Sequence, residues 1–343
     1  MTSRVARYLF SRRPVLAAGR WVVKSLDPSV FYRLWAETGR VDPSALDVVL
    51  AAWLTTDLVV ADVGARWGVD EQWRRFQPHV RVVGFDPDED ECRRLNELEE
   101  NADAISFVPV ALGPSAGTAT LYVTHEPACS SLYPPIDGLI QRRPMLEPSR
   151  LRETTTIAMT TLDQWFEGSG QSYLDVLKLD TQGAELGVLQ GGTAALATVQ
   201  MLEVEVEFNE LYAGQPLFGE VDRFLRERGF VLWRLRQLVH YGLDTVASSR
   251  VSVPDSQHFD ARPQPFSGQG GQLFWGHAYY IPRDVAFSEG NRPWQEAVRG
   301  ACASSAFGFV DLALSQLLQA RAQAPSEVAA DLDRLLSDAV AGF

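Results

Sequence analysis

The sequence predicts an α/β fold: a mostly parallel sheet with helices on both faces, closed at one edge by an antiparallel pair of strands. Three observations carry that prediction. Apolar runs at Leu58–Val63, Val80–Phe85, 104–110 and 173–179 show little alternation between polar and apolar faces, as strands covered on both sides must. Charged, helix-compatible stretches separate these runs, so strand and helix alternate along the chain. Two later strand-like runs, 230–239 and 272–281, pair most simply as the antiparallel edge.

Composition sets the outer bounds. Of 343 residues, 46% are hydrophobic and 22% charged, the balance of a globular protein. The formal net charge of −13 argues against nucleic-acid binding, because neutralising phosphates needs a basic footprint. Cys92, Cys129 and Cys302 are too widely spaced for a zinc-ligand rhythm or a disulfide framework, so a reducing, cytoplasmic setting is expected. The first 26 residues carry Arg4, Arg7, Arg12, Arg13, Arg20 and Lys24, and no acidic residue precedes Asp27. No secretory signal and no transmembrane run is expected. The basic stretch reads either as a solvated helix or as a weak contact with an anionic membrane surface.

In chain order, residues 1–52 are expected to form a helical N-terminal extension, broken at Pro43. The first strand then turns at Gly64 and Gly68 into a helix reaching Phe76. The second strand closes on Asp86, and 88–99 is a helix with its charges outward. Strands follow at 104–110 and Gly117–Thr124. Residues 127–148 contain five prolines and little periodicity, which predicts a loop or lid over a site. A short helix at 161–166 leads to the strand 173–179, and a further helix opens at Thr181. The run 201–208 alternates, placing Glu203, Glu205 and Glu207 on one face. A helix at 220–228 precedes the edge pair, whose Pro-, Gly-, Ser- and Gln-rich connection is a loop. Beyond Pro282, Val310, Ala313, Leu314, Leu317 and Leu318 fall at helical spacing, as do Val328, Leu332, Leu335, Leu336 and Ala339, with Pro325 between the sets. The division is therefore a helical extension 1–52, a ligand-binding domain 53–282 and a helical extension 283–343. The last covers either the chain's own sheet or a second copy in a homodimer.

The run Val59 to Gly68 (VVADVGARWG) followed by Asp86 makes a seat for an adenosine ligand. Gly64 and Gly68 let backbone approach a ligand closely at the strand-to-helix turn. Asp86 sits where a carboxylate can hold both ribose hydroxyls. Asp62 can accept from an amino group or orient the loop. The spacing departs from the GxGxxG dinucleotide fingerprint, and a carboxylate there would repel a pyrophosphate. S-adenosylmethionine, with its amino acid and sulfonium, suits the loop better. A nicotinamide cofactor and a purely structural turn stay open as alternatives.

Several blocks in order resemble the FkbM-type family of S-adenosylmethionine-dependent methyltransferases. ADVGARWG (61–68) is similar to the family's cofactor loop and GFDPDED (84–90) to its ribose-binding strand end. PVALGPSAGTATLYV (109–123), CSSL (129–132) and MTTLDQWF (159–166) follow. KLDTQGAELGVLQGG (178–192) resembles the most distinctive signature, and LEVEVEF (202–208) the acidic strand after it. The resemblance spans residues 55–282. It implies a Rossmann-like class I methyltransferase fold with a seven-stranded, mostly parallel sheet. It implies a cofactor site at Asp62, Gly64, Ala65, Gly68, Asp86, Pro87 and Ala111. Its substrates are hydroxylated small molecules or saccharides, methylated by in-line displacement. Thr181-Gln182 departs from the family, which more often has a hydrophobic residue and Glu there.

Residue chemistry then nominates the remaining site groups. Asp180 ends a buried strand at the sheet edge where α/β folds bind ligands, and is a candidate base or a helix cap. His125, beside the proline-rich loop, can relay a proton or lie exposed. Glu205 is a third catalytic candidate. Ser130, Ser131, Glu185 and Glu207 are candidates for substrate contact. Asp180 with Glu205 or Glu207 offers hard oxygens suited to Mg²⁺, but no compact motif supports it, and no metal site is assigned. Two further readings remain: a non-catalytic binding or scaffold protein on the same fold, and an NAD-dependent oxidoreductase.

Overall fold

The computed structural model describes residues 50–51, 53–241, 257–258, 272–287, 289, 292–330 and 333. The basic N-terminal stretch, most of the connection between the edge strands and most of the second expected C-terminal helix lie outside them. The described strands are β1 (Leu58–Val63), β2 (Val80–Phe85), β3 (Ile105–Val108), β4 (Ala111–Leu112), β5 (Gly117–Thr124), β6 (Leu151–Thr160), β7 (Val176–Leu179), β8 (Met201–Glu207), β9 (Phe230–Tyr241), β10 (Gln257–His258) and β11 (Gln272–Pro282). The main helices are α1 (Glu89–Leu98), α2 (Leu162–Ser169), α3 (Glu185–Gln190), α4 (Phe218–Glu227), α5 (Trp294–Ala306) and α6 (Val310–Gln323).

The main sheet runs β10-β9-β11-β8-β7-β1-β2-β3. Strand β2 pairs with β3, and β7 with both β1 and β8, in parallel. Strand β11 runs antiparallel to β8 and to β9. Seven strands thus give the expected mostly parallel sheet with an antiparallel edge, and the two-residue β10 adds an eighth on β9. All six residues of β1 and all seven of β8 are buried, which explains the apolar run of β1 and makes the three glutamates that alternate along β8 costly unless partnered.

A second sheet, β4-β6-β5, projects an antiparallel ribbon of β5 and β6. Strand β6 has no counterpart in the sequence expectation. Its residues are exposed or half-buried throughout, so hydrophobic periodicity carries no signal; its β-branched run Thr154-Thr155-Thr156-Ile157 is what favours extended backbone. The helix expected up to Phe76 is a single 3-10 segment, Glu71–Phe76, because positive φ at Trp67 and Gly68 keeps the preceding residues out of helix. The proline-rich segment is ordered into short helical pieces at Pro127–Cys129, Asp137–Arg142 and Pro144–Ser149.

The described residues divide into two compact units, one of 60–69 and 82–287 and the other drawn from 1–59, 70–81 and 288–343. In the latter, α5 and α6 pack together through small residues. A Cβ on Gly300 would lie 2.8 Å from Gln316 Oε1, and Ser304 and Ser305 are fully buried. Trp73, also fully buried, meets the Phe307 ring edge-on at 5.4 Å. Residues 70–81 therefore share a core with the C-terminal helices, a link that the sequence division into extensions did not anticipate. Helix α5 was not singled out by sequence either, since its alanines and serines lack a distinct apolar stripe. No described helix is long and apolar enough to cross a membrane.

Candidate active site

The chain adds β2 and β3 on one side of β1, then returns to add β7 and β8 on the other. Such a reversal leaves a crevice at the strands' C-terminal ends. A cavity of about 690 Å³ opens there, within the size range of ligand pockets. Its wall is Val63, Gly64 and Arg66 after β1, Asp86, Pro87 and Asp88 after β2, and Asp180, Thr181 and Gln182 after β7. Leu121 and Val123 of β5, and Thr155 and Ile157 of β6, form an opposite side, with Ala111, Ser130, Ser131 and Arg152 also lining it.

At the β2 end, Asp86 is buried and its Oδ1 accepts from the Asp88 amide at 2.8 Å. Burial pushes its carboxyl above the ordinary range, opposed by that amide and by Arg66. Arg66 Nη2 donates to Asp88 Oδ2 at 3.0 Å, and Nη1 lies 3.7 Å from Asp86 Oδ1. Asp88 also caps α1 by accepting from the Glu91 amide at 3.1 Å.

At the β7 end, Gln182 occupies a left-handed conformation with φ +56. Its Nε2 donates to Asp180 Oδ1 at 2.9 Å and to Glu205 Oε2 at 2.7 Å. Ser131 Oγ donates to the Gln182 carbonyl at 2.7 Å, fixing that turn from the opposite loop. The Tyr212 hydroxyl lies 2.6 Å from the Cys129 carbonyl oxygen and 3.2 Å from Gln182 Oε1. Glu185 folds back to accept from the Thr181 amide at 2.6 Å, the Thr181 hydroxyl at 2.9 Å and the Gly183 amide at 3.2 Å. Burial first, and then the charge of Asp180, pushes Glu185 up to about 7. The same order of causes raises Glu205 well above the carboxylate range; burial and the charge of Glu185 do so for Glu207. These three offer oxygens within 4.8 Å of one another, close enough for a hard cation. Glu185 Oε1 accepts three donors and Glu205 Oε2 accepts from the Gln182 amide.

Residues 62–232 match the Methyltransferase FkbM domain. The chain belongs to the FkbM methyltransferase family. It is 26% identical over 218 residues to the 2-O-methyltransferase NoeI of Sinorhizobium fredii, across 60% of this chain and 89% of that protein. It is also 26% identical over 235 residues to the hexuronic acid methyltransferase AglP of Haloferax volcanii, across 65% and 90%. A solved FkbM methyltransferase from Methylobacillus flagellatus KT aligns over 77% of this chain and 60% of its own, at 14% identity and a TM-score of 0.34. The protein is thus an S-adenosylmethionine-dependent methyltransferase, and the nicotinamide alternative falls.

The cavity of this FkbM domain fits that cofactor. Asp86 stands on the wall at the end of β2, and the buried Arg66 Nε has no hydrogen-bond partner among the described residues. Gly64, Asp86, Pro87 and Ala111 line the wall as expected. Three expected cofactor residues do not. Asp62 is fully buried and paired with Lys178 Nζ at 3.3 Å, because the two are register partners on β1 and β7. The repulsion argument built on Asp62 therefore carries no weight for the donor; the family does. Ala65 is buried, its amide donating to the Phe85 carbonyl, and a Cβ on Gly68 would face Leu95.

Among the other candidates, Asp180, Ser130 and Ser131 reach the wall. Ser130 Oγ accepts from the Thr124 amide at 3.2 Å and keeps its own proton to donate. His125 is exposed and off the wall, its amide donating to the Arg150 carbonyl, so this geometry does not bring its imidazole to the cavity. Glu185, Glu205 and Glu207 are buried and do not line the cavity, and Glu205 is joined to the wall through Gln182. Sequence reasoning missed Arg66 as a wall residue, Gln182 as the link between carboxylates, and Tyr212. Gln182 had a usable signal in its departure from the family pattern; Arg66 and Tyr212 had none.

Proposed function

We propose that this protein methylates a hydroxyl oxygen of a saccharide, with Asp180 receiving the hydroxyl proton. Bound in the cavity, S-adenosylmethionine supplies an electrophilic methyl group on its sulfonium. Asp86 holds the ribose and Ser130 donates to an acceptor atom of either ligand. Asp180 faces the same cavity at the end of the neighbouring strand, and this shared wall is the observation that carries the reading. An aliphatic hydroxyl is a far weaker acid than a carboxylic acid, so Oδ of Asp180 takes its proton as the new C–O bond forms and the methyl–sulfur bond breaks, with S-adenosylhomocysteine as the leaving group. The Gln182 amide fixes the Asp180 carboxyl in orientation, and the neutral Glu205 behind it limits the negative charge gathered there. The apolar Leu121, Val123 and Ile157 with Thr155 suit the faces and hydroxyls of a sugar. The names of the two relatives, one a 2-O-methyltransferase and one a hexuronic acid methyltransferase, support that acceptor class. The methyltransferase domain is taken as 53–282.

Incubation with S-adenosylmethionine and a panel of oligosaccharides, read by a mass gain of one methyl, tests the proposal. Asp180→Asn should lower kcat by about 100-fold or more, as loss of a positioned base does, with cofactor affinity kept. Full activity in Asp180→Asn removes the base assignment. Cofactor binding without transfer to any acceptor favours the scaffold reading instead.

A further inference from the structure

We propose that Arg66 is a positioning residue of the cofactor seat: it orients Asp86 and Asp88 for the ribose and presents its Nε to an acceptor on the bound cofactor. The inference rests on the reading of Asp86 as the ribose carboxylate. Between Gly64 at φ +88 and Trp67 at φ +75, the loop sends Arg66 to the cavity wall and leaves Trp67 outward, 64% exposed. The guanidinium then bridges both carboxylates of the β2 end, at 3.0 Å to Asp88 and 3.7 Å to Asp86. Its Nε is buried and has no hydrogen-bond partner among the described residues. A buried guanidinium N–H with no acceptor is unfavourable until something fills it. On a cavity wall, the missing acceptor is a ligand atom.

The surroundings of Asp86 give Arg66 a second consequence. Burial, Asp88 and Glu91 all favour the protonated carboxyl, whereas the Asp88 amide and Arg66 favour the carboxylate. Glu89 lines the same cavity. Cys92, whose Sγ lies 3.4 Å from the Asp86 carbonyl oxygen, is pushed up to about 11 and stays neutral. Arg94 pairs with Glu91 at 2.7 Å, and Arg66 is the cation in contact with Asp86 and Asp88 themselves. Without it, Asp86 takes up a proton at a higher pH and loses an acceptor for the ribose diol. Affinity then falls as pH falls.

Calorimetric titration of S-adenosylhomocysteine into wild type, Arg66→Ala, Arg66→Lys and Asp86→Asn between pH 5.5 and 8.5 tests this, with far-UV circular dichroism confirming the fold. At the alkaline end Arg66→Ala should bind about tenfold more weakly, the scale of one lost charge-assisted hydrogen bond. Its affinity should drop further toward acid pH, over a range where wild type changes less. Arg66→Lys should recover the wild-type pH profile without full affinity, which a merely structural role would not produce. Wild-type affinity and profile in Arg66→Ala, with Asp86→Asn weakened, overturns the proposal alone. Unweakened binding by Asp86→Asn, or none by wild type, overturns the ribose reading beneath it. If Arg66→Ala is unfolded, an Arg66→Lys profile and affinity identical to wild type is the overturning result.

Discussion

A single atom separates what Gly64 was expected to do from what it does. Glycine was predicted there so that backbone could approach a ligand, and Gly64 does line the cavity. The tighter constraint comes from the protein itself. A Cβ at this position would sit 1.8 Å from the Asp180 carbonyl oxygen, on a residue already at φ +88. The glycine therefore lets the end of β1 close against the end of β7 and brings Asp86 and Asp180 to one wall. Gly64→Ala should cost about 3 kcal/mol or more, combining overpacking with a left-handed alanine, as urea unfolding would show. Any folded fraction should lose methyl transfer. The residue was legible in the sequence because a strand ending in glycine is a local pattern. Its partner was not, since Asp180 lies far along the chain and meets Gly64 only through the sheet order.

At the scale of elements, the signature after β7 is a self-bracing turn. Glu185, in the first turn of α3, accepts from Thr181 and Gly183 and fixes the residues that carry Gln182. The acidic pattern Asp180, Glu185, Glu205, Glu207 was visible in sequence and suggested catalysis for Asp180 and Glu205 and substrate contact for Glu185 and Glu207. Which side of the wall each carboxyl takes depends on the crossing of β7 and β8 and could not be read from spacing. Their burial has a measurable consequence. Glu185 is pushed up to about 7 in the folded chain, whereas unfolded it titrates near 4.3. Between those values the unfolded state loses its proton while the folded state keeps it, so stability falls as pH rises from about 4.5 through about 7. Glu205 and Glu207 act with the same sign. Glu185→Gln keeps an acceptor oxygen for all three donors and removes the titration. Urea midpoints should therefore decline less steeply with pH in Glu185→Gln than in wild type. Parallel declines would refute the assignment.

Over the whole molecule, the strand periods and the alternation of strand with helix were the parts most open to sequence reading. Strand β6 and the core formed by residues 70–81 with the C-terminal helices were not. Strand β6 is exposed or half-buried throughout, so hydrophobic periodicity carries no signal there. The core depends on Trp73, an aromatic in a short 3-10 segment whose partner Phe307 lies at the other end of the chain. Nothing local to either residue announces the pairing. A fully buried tryptophan loses both its transfer free energy and its packing when truncated, so Trp73→Ala should destabilise by about 3–5 kcal/mol. If α5 and α6 were merely an appended tail, the same substitution would leave the main unfolding transition in place. The two outcomes separate in one urea titration followed by circular dichroism. A common core predicts an earlier midpoint or a new early transition that includes the signal of α5 and α6, and an unchanged curve rejects it.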